Sequence, residues 1–415
     1  MPQLSELLDE AVGTLAVRFS SGDVQRRSRQ LRTRRRVRRA LAGGIAAAVS
    51  VGVVVTVTSL ASDAPRGRLR APTSDQKGVF ASPTGSVLVF EDGSRGLVLV
   101  DVDRRIAVRR QVPSLGQPPN QVLSTGKALI VGSSDVYAEP FSAAPAIDLG
   151  PAKITIPAAE PGTVWLIDYG AGPTSTAREV NVDGTVLHQT AGLNIGYPTI
   201  GIPGGIAADG PTGIVLWDAK TGTTTRLGGP GASVEDAHEN ALAWCDKHCN
   251  TMHLTRIGGH DLAVTAPPTE PVFDAGDARF SPDGRYLAAI MVDNDLPIAS
   301  ANSTGEVVLI DTHTGALKVI TSKTLQRTVS LAWSADSQHL FYSPFASATA
   351  KQITIGEYSV VDNSSDSATL PFWGHLSIAT DRTVIAPLLA AQNVSRETCI
   401  PPPLNGGTGP CAFSF

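Results

Sequence analysis

The sequence predicts an all-β protein made of repeated antiparallel sheets, and three features carry that prediction. Two similar segments, FSPDGRYLAAI at 280–290 and LAWSADSQHLFY at 331–342, lie about fifty residues apart. A second pattern, apolar-apolar-x-Asp-x-x-Thr-Gly, occurs within 214–227 and again within 307–320. The composition includes 40 Gly and 29 Pro with 17% charged residues, which is typical of a turn-rich β protein. Near-regular repetition of such elements indicates a repeat architecture.

Each repeated segment predicts a tight turn between two apolar strands. In the first pattern Pro fixes φ, Asp accepts hydrogen bonds from the following amides, and Gly supplies a left-handed corner. The second pattern predicts a later turn in the same unit, followed by another strand. The turn residues are Ser281, Pro282, Asp283, Gly284, Ser334 and Asp336 for the first pattern, and Thr221, Gly222, Thr314 and Gly315 for the second.

The N-terminal part of the chain differs sharply from the rest in charge. Residues 1–39 hold ten arginines and four acidic residues, whereas the remaining 376 residues carry 24 basic and 34 acidic groups. Apolar residues at helical spacing in 4–19 predict a short amphipathic helix. An Arg-rich linker follows it, with nine arginines between positions 26 and 39.

Residues 40–62 contain no charged side chain and predict a single transmembrane helix. As a helix these 23 residues span about 34 Å, which is enough for a bilayer core. Basic residues at one end of a span hold that end in the cytoplasm, so we expect the N-terminus inside and the larger part of the chain outside. The topology-determining residues nearest the span are Arg34, Arg35, Arg36, Arg38 and Arg39.

The same segment could also be a signal peptide that is cleaved after small residues such as Ser59 and Ala61. A 39-residue basic region and a 23-residue apolar stretch are both long for a signal peptide, and this favours an uncleaved anchor. The polar, Pro-containing residues 63–78 predict a stalk between the membrane and a folded body at 79–390. Residues 391–415 are expected to form an irregular C-terminal tail that is closed by a disulfide.

The FSPDGRYLA segment resembles the hairpins of TolB-like and WD-like β-propellers, where it joins the first two strands of a blade. The Asp-x-x-Thr-Gly pattern is similar to the turn between a blade's third and fourth strands. This resemblance implies a ring of four-stranded blades. Between Val79 and Phe372 there is room for seven units of about 42 residues, with six or eight as alternatives. The segment 375–389 is expected to supply a closing strand, because an open sheet edge needs a partner.

All four cysteines follow the predicted span and lie in two close pairs. In an oxidising compartment this pattern predicts two local disulfides, Cys245 with Cys249 and Cys399 with Cys411. Three connectivities exist for four cysteines. A zinc site is the alternative for the first pair, because His253 completes a C-x3-C-x3-H spacing.

The sequence predicts no cofactor, no metal and no catalytic residue. Asp293, Asn294 and Asp295 form an acidic run that could bind calcium, but it lacks the Gly and the distal Glu of an EF-hand loop. Four further histidines are scattered near strand ends or turns, at His188, His313, His339 and His375. We therefore expect a protein that is not an enzyme, although propeller enzymes assemble sites from several blades.

Two functions from different classes follow from these features. The first is binding or sensing, with a protein or glycan ligand on a propeller face. The overall arrangement resembles membrane proteins of actinobacteria, some of which are linked to sigma-factor regulation, and this implies a sigma factor as a partner of residues 1–39. That segment lacks the zinc-binding H-x3-C-x2-C pattern of such regulators. The second is an anchored extracytoplasmic enzyme (lyase, hydrolase or dehydrogenase). Arginines beside a span favour lipid headgroups as their contacts, so no nucleic-acid partner is expected.

Overall fold

The computed structural model describes residues 78–390 and 411–414, apart from the following gaps: 92–95, 112–120, Ala143, Ala159, 170–173, Gly258, His260, 267–271, 274–277, 293–304, 322–327, 345–351 and Trp373. The predicted cytoplasmic segment 1–39, the predicted span 40–62 and nearly all of the predicted stalk lie outside the described residues. Within the described ranges, no helix has the length and apolar character needed to cross a bilayer.

The described residues form seven antiparallel sheets, each of at least four strands. The first sheet takes strands from both ends of the chain, and the next three are continuous in sequence. These strands are, for blade 1, β1 (Ser86–Glu91), β2 (Gly96–Asp101) and β3 (Ile106–Gln111); for blade 2, β4 (Gln121–Ser124), β5 (Ala128–Gly132), β6 (Asp135–Pro140) and β7 (Ile147–Pro151); for blade 3, β8 (Ile154–Pro157), β9 (Thr163–Tyr169), β10 (Ser175–Asn181) and β11 (Val186–Leu193); for blade 4, β12 (Thr199–Ile202), β13 (Gly205–Gly210), β14 (Gly213–Asp218) and β15 (Thr224–Leu227).

Blades 5 to 7 follow in the same order, and the innermost strand of blade 6 is in two short pieces that both pair with its second strand. The C-terminal elements complete blade 1. These strands and the one helix of the described residues are, for blade 5, β16 (Ser233–His238), β17 (Ala241–Cys245), β18 (Thr251–Arg256) and β19 (Asp261–Thr265); for blade 6, β20 (Val272–Phe273), β21 (Arg279–Phe280), β22 (Tyr286–Val292), β23 (Gly305–Asp311) and β24 (Leu317–Val319); for blade 7, β25 (Thr328–Trp333), β26 (His339–Pro344), β27 (Ile353–Ser359) and β28 (Ser364–Leu370); then β29 (His375–Asp381), α1 (Arg382–Ala390) and β30 (Cys411–Ser414).

The position of a strand within its blade explains its composition. A blade packs against a neighbour on each face, so its middle strands are buried on both sides and read as continuous apolar runs. Strands β1 and β5 are buried along nearly their whole length. The outermost strands face solvent and are polar, as the exposed residues of β15 and β28 show.

The hydrophobic core is divided among the seven contacts between neighbouring blades. Each contact holds one cluster of buried apolar side chains within the described residues. The innermost strands contact one another in succession, from β29 through β4, β8, β12, β16, β21 and β25 and back to β29. The structure is therefore a closed seven-bladed β-propeller, which confirms the predicted all-β class and the count of seven blades.

Blade 1 closes the ring with strands from both ends of the chain. Strand β29 pairs with β1 on the inner side, from Ser86 opposite Asp381 to Glu91 opposite His375. Strand β30 pairs with β3 on the outer side. The expectation of an irregular tail is therefore wrong for residues 411–414, which form a fifth strand.

The closing strand is shorter than predicted, because a helix replaces its second half. Asp381 acts as the N-cap of α1, since its carboxylate accepts hydrogen bonds from the backbone amide and hydroxyl of Thr383, both at 2.7 Å. Ile385 and Leu388, three residues apart, are fully buried in the cluster between blades 1 and 2. The helix thus buries the apolar residues that the sequence analysis assigned to a strand.

Candidate binding face and polar clusters

The predicted repeat turns all lie at one end of the ring. Strands of an antiparallel sheet alternate in direction, so the turn after a blade's first strand and the turn after its third strand share one end. The first-pattern turns join β21 to β22 and β25 to β26, and the second-pattern turns join β14 to β15 and β23 to β24. We call this end of the propeller the turn face.

The Ser-Pro-Asp-Gly turn of blade 6 is held by its own side chains. Ser281 Oγ donates to Asp283 Oδ1 at 2.6 Å and accepts from the Tyr286 amide at 3.0 Å. Gly284 adopts φ +68°, and a Cβ at this position would lie 2.4 Å from His238 of blade 5. The left-handed backbone conformation therefore favours Gly here, and a side chain would also meet the neighbouring blade.

The corresponding turn of blade 7 uses the same bonds with different residues. Ser334 Oγ donates to Asp336 Oδ1 at 2.5 Å and accepts from the His339 amide at 2.9 Å. Ser337 occupies the left-handed corner at φ +62°. Its hydroxyl accepts a hydrogen bond from the Asp283 amide at 3.0 Å, so the two predicted turns contact each other.

The Asp-x-x-Thr-Gly turns are held by hydrogen bonds to the carboxylates of Asp218 and Asp311. Asp218 accepts from the Thr221 amide at 2.8 Å, and this bond lowers the pKa of the Asp218 carboxyl. Burial alone would raise the pKa of Asp311, but hydrogen bonds from Thr314 and from the His313 amide outweigh it and lower that pKa. The turn face therefore keeps ionised carboxylates into mildly acidic conditions.

A cleft of about 260 Å³ opens between blades 6 and 7 at the turn face. Tyr286 and Asp311, which pair across β22 and β23, lie on its blade 6 side. Lys318 of β24 crosses toward blade 7, where its ammonium donates to the Tyr358 hydroxyl at 2.8 Å and to Asn363 Oδ1. Its ammonium also lies 5.1 Å from the centre of the Tyr358 ring, within cation–π range. The residues that line this cleft are Tyr286, Leu309, Asp311, Ala316, Lys318, Tyr358, Val360 and Asn363.

The polar groups of the cleft retain bonding capacity for a ligand. An ammonium group has three donors, and the two hydrogen bonds of Lys318 occupy two of them. The hydrogen bonds of Asp311 with His313 and Thr314 all use its Oδ1 atom. The cleft thus combines an apolar floor with one donor and one carboxylate oxygen.

A second polar cluster lies beside the innermost strand of blade 1. Ser377 Oγ donates to Glu91 Oε1 at 3.0 Å. Burial raises the pKa of Glu91 to about 7, although the Ser377 hydrogen bond opposes the shift. His375, opposite Glu91 in the strand register, has a pKa that burial lowers. Near neutral pH this cluster therefore holds a carboxyl group close to its pKa, with an uncharged imidazole at the opposite position of the strand pair.

Other polar side chains bridge adjacent blades. Gln121 of blade 2 accepts from the Thr155 amide of blade 3 at 2.7 Å. Asp209 of blade 4 accepts from the Val234 amide of blade 5 at 2.8 Å, and burial raises the pKa of Asp209 to about 6. These groups satisfy backbone donors at the edges of inner strands, a structural role.

Blade 5 brings its cysteines together with a carboxylate that the sequence analysis missed. The sulfur atoms of Cys245 and Cys249 lie within disulfide-bonding distance across the neck of the β17–β18 hairpin. Cys245 Sγ is 3.3 Å from Oε1 of Glu235, and all three side chains are buried. Glu235 lies ten residues before Cys245 on the adjacent strand, and no local sequence motif indicates it.

In the alternative zinc site, His253 is not positioned to act as a ligand beside the two cysteines. Its register partner is Trp244, whereas Cys245 pairs with Met252, so His253 lies on the other face of the blade. The His253 ring stacks on Trp244 at 3.9 Å, and its Nδ1 atom lies 2.9 Å from Asp261 Oδ2.

The scattered histidines lie in different blades. His188 contacts Glu179 at 2.6 Å on blade 3, and His339 contacts the buried Glu357 at 2.7 Å on blade 7. His313 is exposed in the blade 6 turn. The acidic run 293–295, Cys399 and the Cys411 side chain lie outside what the structure describes, so those predictions stay open.

No family model matches the chain, and no curated protein matches it. Solved structures with similar folds include a GH74 enzyme from Niastella koreensis, with a TM-score of 0.45, 12% identity, and coverage of 60% of this chain and 45% of that chain. This chain therefore spans less than half of that enzyme. The β-propeller domain of Cps50 (Swd1) from Myceliophteria thermophila gives a TM-score of 0.45 and 10% identity, covering 63% of this chain and 88% of that chain. Apo AztD from Citrobacter koseri gives a TM-score of 0.43 and 10% identity, covering 71% and 96%.

Proposed function

We propose that the protein is a single-pass membrane protein whose extracytoplasmic propeller binds a protein partner through the cleft between blades 6 and 7. The observation that carries this proposal is the cleft itself, in which Tyr286, Lys318 and Asp311 surround an apolar floor. Lys318 retains a donor for a peptide carbonyl, and Asp311 an oxygen for an amide or a cation. An extended peptide offers this alternation of acceptors and donors along its backbone.

The size of the cleft favours a macromolecular ligand over an enclosed small molecule. Small-molecule sites usually have volumes of about 300–1,000 Å³ and bury most of the ligand. At about 260 Å³ this cleft holds one or two side chains of a larger partner. The Tyr358 ring is almost fully buried, so it offers little of the open aromatic surface on which a sugar ring stacks. These features favour a polypeptide over a glycan.

The membrane location in this proposal rests on the sequence. The uncharged residues 40–62 and the arginines before them support a span with the N-terminus inside. The close cysteine pairs support an oxidising location for the propeller, with Cys399 and Cys411 as a second disulfide. A relationship to TolB-like propellers, and to actinobacterial membrane proteins in particular, is part of the same proposal.

The proposal also assigns a role to residues 1–39 on the cytoplasmic side of the membrane. A cytoplasmic amphipathic helix offers an apolar face to a regulator such as a sigma factor, and partner binding outside would then alter that contact. We propose to test this by capture with residues 1–39 alone. Recovery of a sigma factor is the expected result, and recovery of lipids alone would count against it.

The binding proposal is tested by photo-crosslinking of the full chain in cells that produce it. We expect a crosslinked protein partner whose yield falls at least tenfold in the variants Lys318→Ala and Tyr286→Ala. The matched control is Lys220→Ala, which removes an exposed lysine from the turn face at blade 4. Equal yields in all variants, or capture of polysaccharide only, would contradict the proposal.

A second candidate, an extracytoplasmic enzyme, is favoured by the Glu91 cluster. A carboxyl with a pKa of about 7 beside a neutral imidazole is suited to general acid–base catalysis near neutral pH. If the protein is an enzyme, Glu91→Gln abolishes turnover in an activity screen on envelope polymers while Lys318→Ala does not. No turnover by the wild-type chain in that screen would count against this candidate.

A further inference from the structure

The blade 5 cysteines lie beside a buried carboxyl group. Glu235 Oε1 is 3.3 Å from Cys245 Sγ, and the side chains of Glu235, Cys245 and Cys249 are all buried. Once the disulfide is reduced, the Cys245 thiol can donate a hydrogen bond to this carboxyl group. Thiolate and carboxylate are also two of the ligand types that zinc binds in proteins.

A β-bulge orients the Glu235 side chain toward the cysteines. Val234 pairs with Trp244 and Asp236 pairs with Ala243, so Glu235 is the residue that the bulge inserts into β16. Bulges redirect side chains and are common beside functional sites. Here the bulge lets Glu235 contact Cys245 while Asp236 accepts a hydrogen bond from the Phe280 amide of blade 6 at 2.7 Å.

The loop between the cysteines brings the third donor atom into place. Cys249 has φ +51°, a left-handed conformation that non-glycine residues rarely adopt. One candidate ligand atom from each of Glu235, Cys245 and Cys249 lies within 4.8 Å of the others. In a tetrahedral zinc site with bonds of about 2.0–2.3 Å, neighbouring ligand atoms lie about 3.3–3.8 Å apart. Small movements of the freed sulfurs would therefore complete such a site.

We infer that reduction converts this disulfide into a zinc site formed by Glu235, Cys245 and Cys249. A dithiol reductant supplies two electrons, the Sγ–Sγ bond breaks, and the reductant leaves as its own disulfide. Zn²⁺ then displaces the two thiol protons to solvent and binds two thiolates and one carboxylate, with water in the fourth position. Oxidation releases the metal, so the site binds metal only in the reduced protein.

The test uses the full chain, reduced with a dithiol that is then removed without air, and Co²⁺ as an optical probe for the zinc site. We expect the reduced protein to bind one Co²⁺ in blade 5 with a thiolate charge-transfer band, and Zn²⁺ to displace it. The oxidised protein should bind none. Glu235→Gln should weaken Co²⁺ binding by about tenfold or more, since loss of even an outer partner of a metal site has an effect of that size.

The control is the double variant Cys399→Ser/Cys411→Ser, which should keep the band and the affinity. Mass spectrometry of alkylated peptides gives a readout that does not need variants, because Zn²⁺ should protect Cys245 and Cys249 in the reduced wild-type chain. The inference is overturned if the reduced wild-type chain shows no protection at these cysteines. It is also overturned if Glu235→Gln binds Co²⁺ as tightly as the wild type.

Discussion

Replacement of Glu91 by Gln should stabilise the propeller in alkaline solution and have almost no effect in acid. The pKa of Glu91 rises from 4.5 to about 7 in the folded chain because burial disfavours the carboxylate. Below pH 4.5 the group is protonated in both the folded and unfolded states. Between 4.5 and 7 the folded state keeps a proton that the unfolded state has lost, so stability falls as the pH rises.

Above pH 7 Glu91 is ionised in both the folded and the unfolded chain, and the cost of burying its carboxylate in the folded chain is then at its maximum. Each pKa unit corresponds to about 1.4 kcal/mol, so ionised Glu91 lowers the free energy of unfolding by up to about 3 kcal/mol. Gln is uncharged and of similar shape, and its amide oxygen still accepts the hydrogen bond from Ser377. We therefore expect Glu91→Gln to raise the free energy of unfolding by up to about 3 kcal/mol at pH 8 and by close to zero at pH 4.5.

The assay is urea denaturation of the full chain followed by tryptophan fluorescence at both pH values. Glu239→Gln is the matched control, because the Glu239 side chain is 83% exposed in a turn and its replacement should change little at either pH. A Glu91→Gln chain that is equally stabilised at both pH values, or destabilised at pH 8, would refute the assignment of a desolvated carboxylate at this position.

Three further predictions concern the turn face and the closure of the ring. Gly284→Ala should destabilise the fold by more than the ~1–2 kcal/mol of a left-handed alanine, because its Cβ also meets His238, and a melting temperature equal to wild type would contradict this. Glu357 raises the pKa of His339 through a hydrogen bond, so the pair adds stability below the imidazole's ordinary pKa of about 6.5 and loses it as the pH rises through the folded pKa. Glu357→Gln should abolish this pH dependence in a series of melting curves, and an unchanged dependence would count against the ion pair. Deletion of residues 411–415 should expose the edge of β3, which should lower the melting temperature and promote aggregation measurable by light scattering. An unchanged melting temperature without aggregation would mean that β30 does not contribute to closure of the ring.

The sequence predicted those features of the fold that depend on local chemistry. The Ser-Pro-Asp-Gly and Asp-x-x-Thr-Gly segments specify their turns because Pro fixes φ, Asp accepts hydrogen bonds from backbone amides, and Gly adopts the left-handed conformation. The hairpins and the number of blades could therefore be predicted from the sequence. The helix α1 was missed because its buried Ile385 and Leu388 also suit a strand, although Asp381 is a recognisable N-cap. Strand β30 was missed because its partner lies about three hundred residues earlier.

The candidate sites, namely the blade 5 cysteine cluster, the cleft and the Glu91 cluster, were predictable only in part. The cysteine pair follows from spacing, but Glu235 joins it through a bulge and a strand pairing that no sequence periodicity records. The cleft depends on Lys318 and Tyr358, which come from different blades and meet only when blades 6 and 7 pack together. The raised pKa of Glu91 likewise depends on burial between strands from opposite ends of the chain.

The account depends most directly on the proposed location of the propeller outside the membrane. A membrane-impermeant thiol reagent applied to intact cells tests this with two full-length variants, Lys220→Cys on the turn face and Ser5→Cys in the N-terminal segment. Peptide mapping should find the label at position 220 in intact cells and at position 5 only after the cells are permeabilised. Label at position 5 in intact cells, or at position 220 only after permeabilisation, would contradict the account.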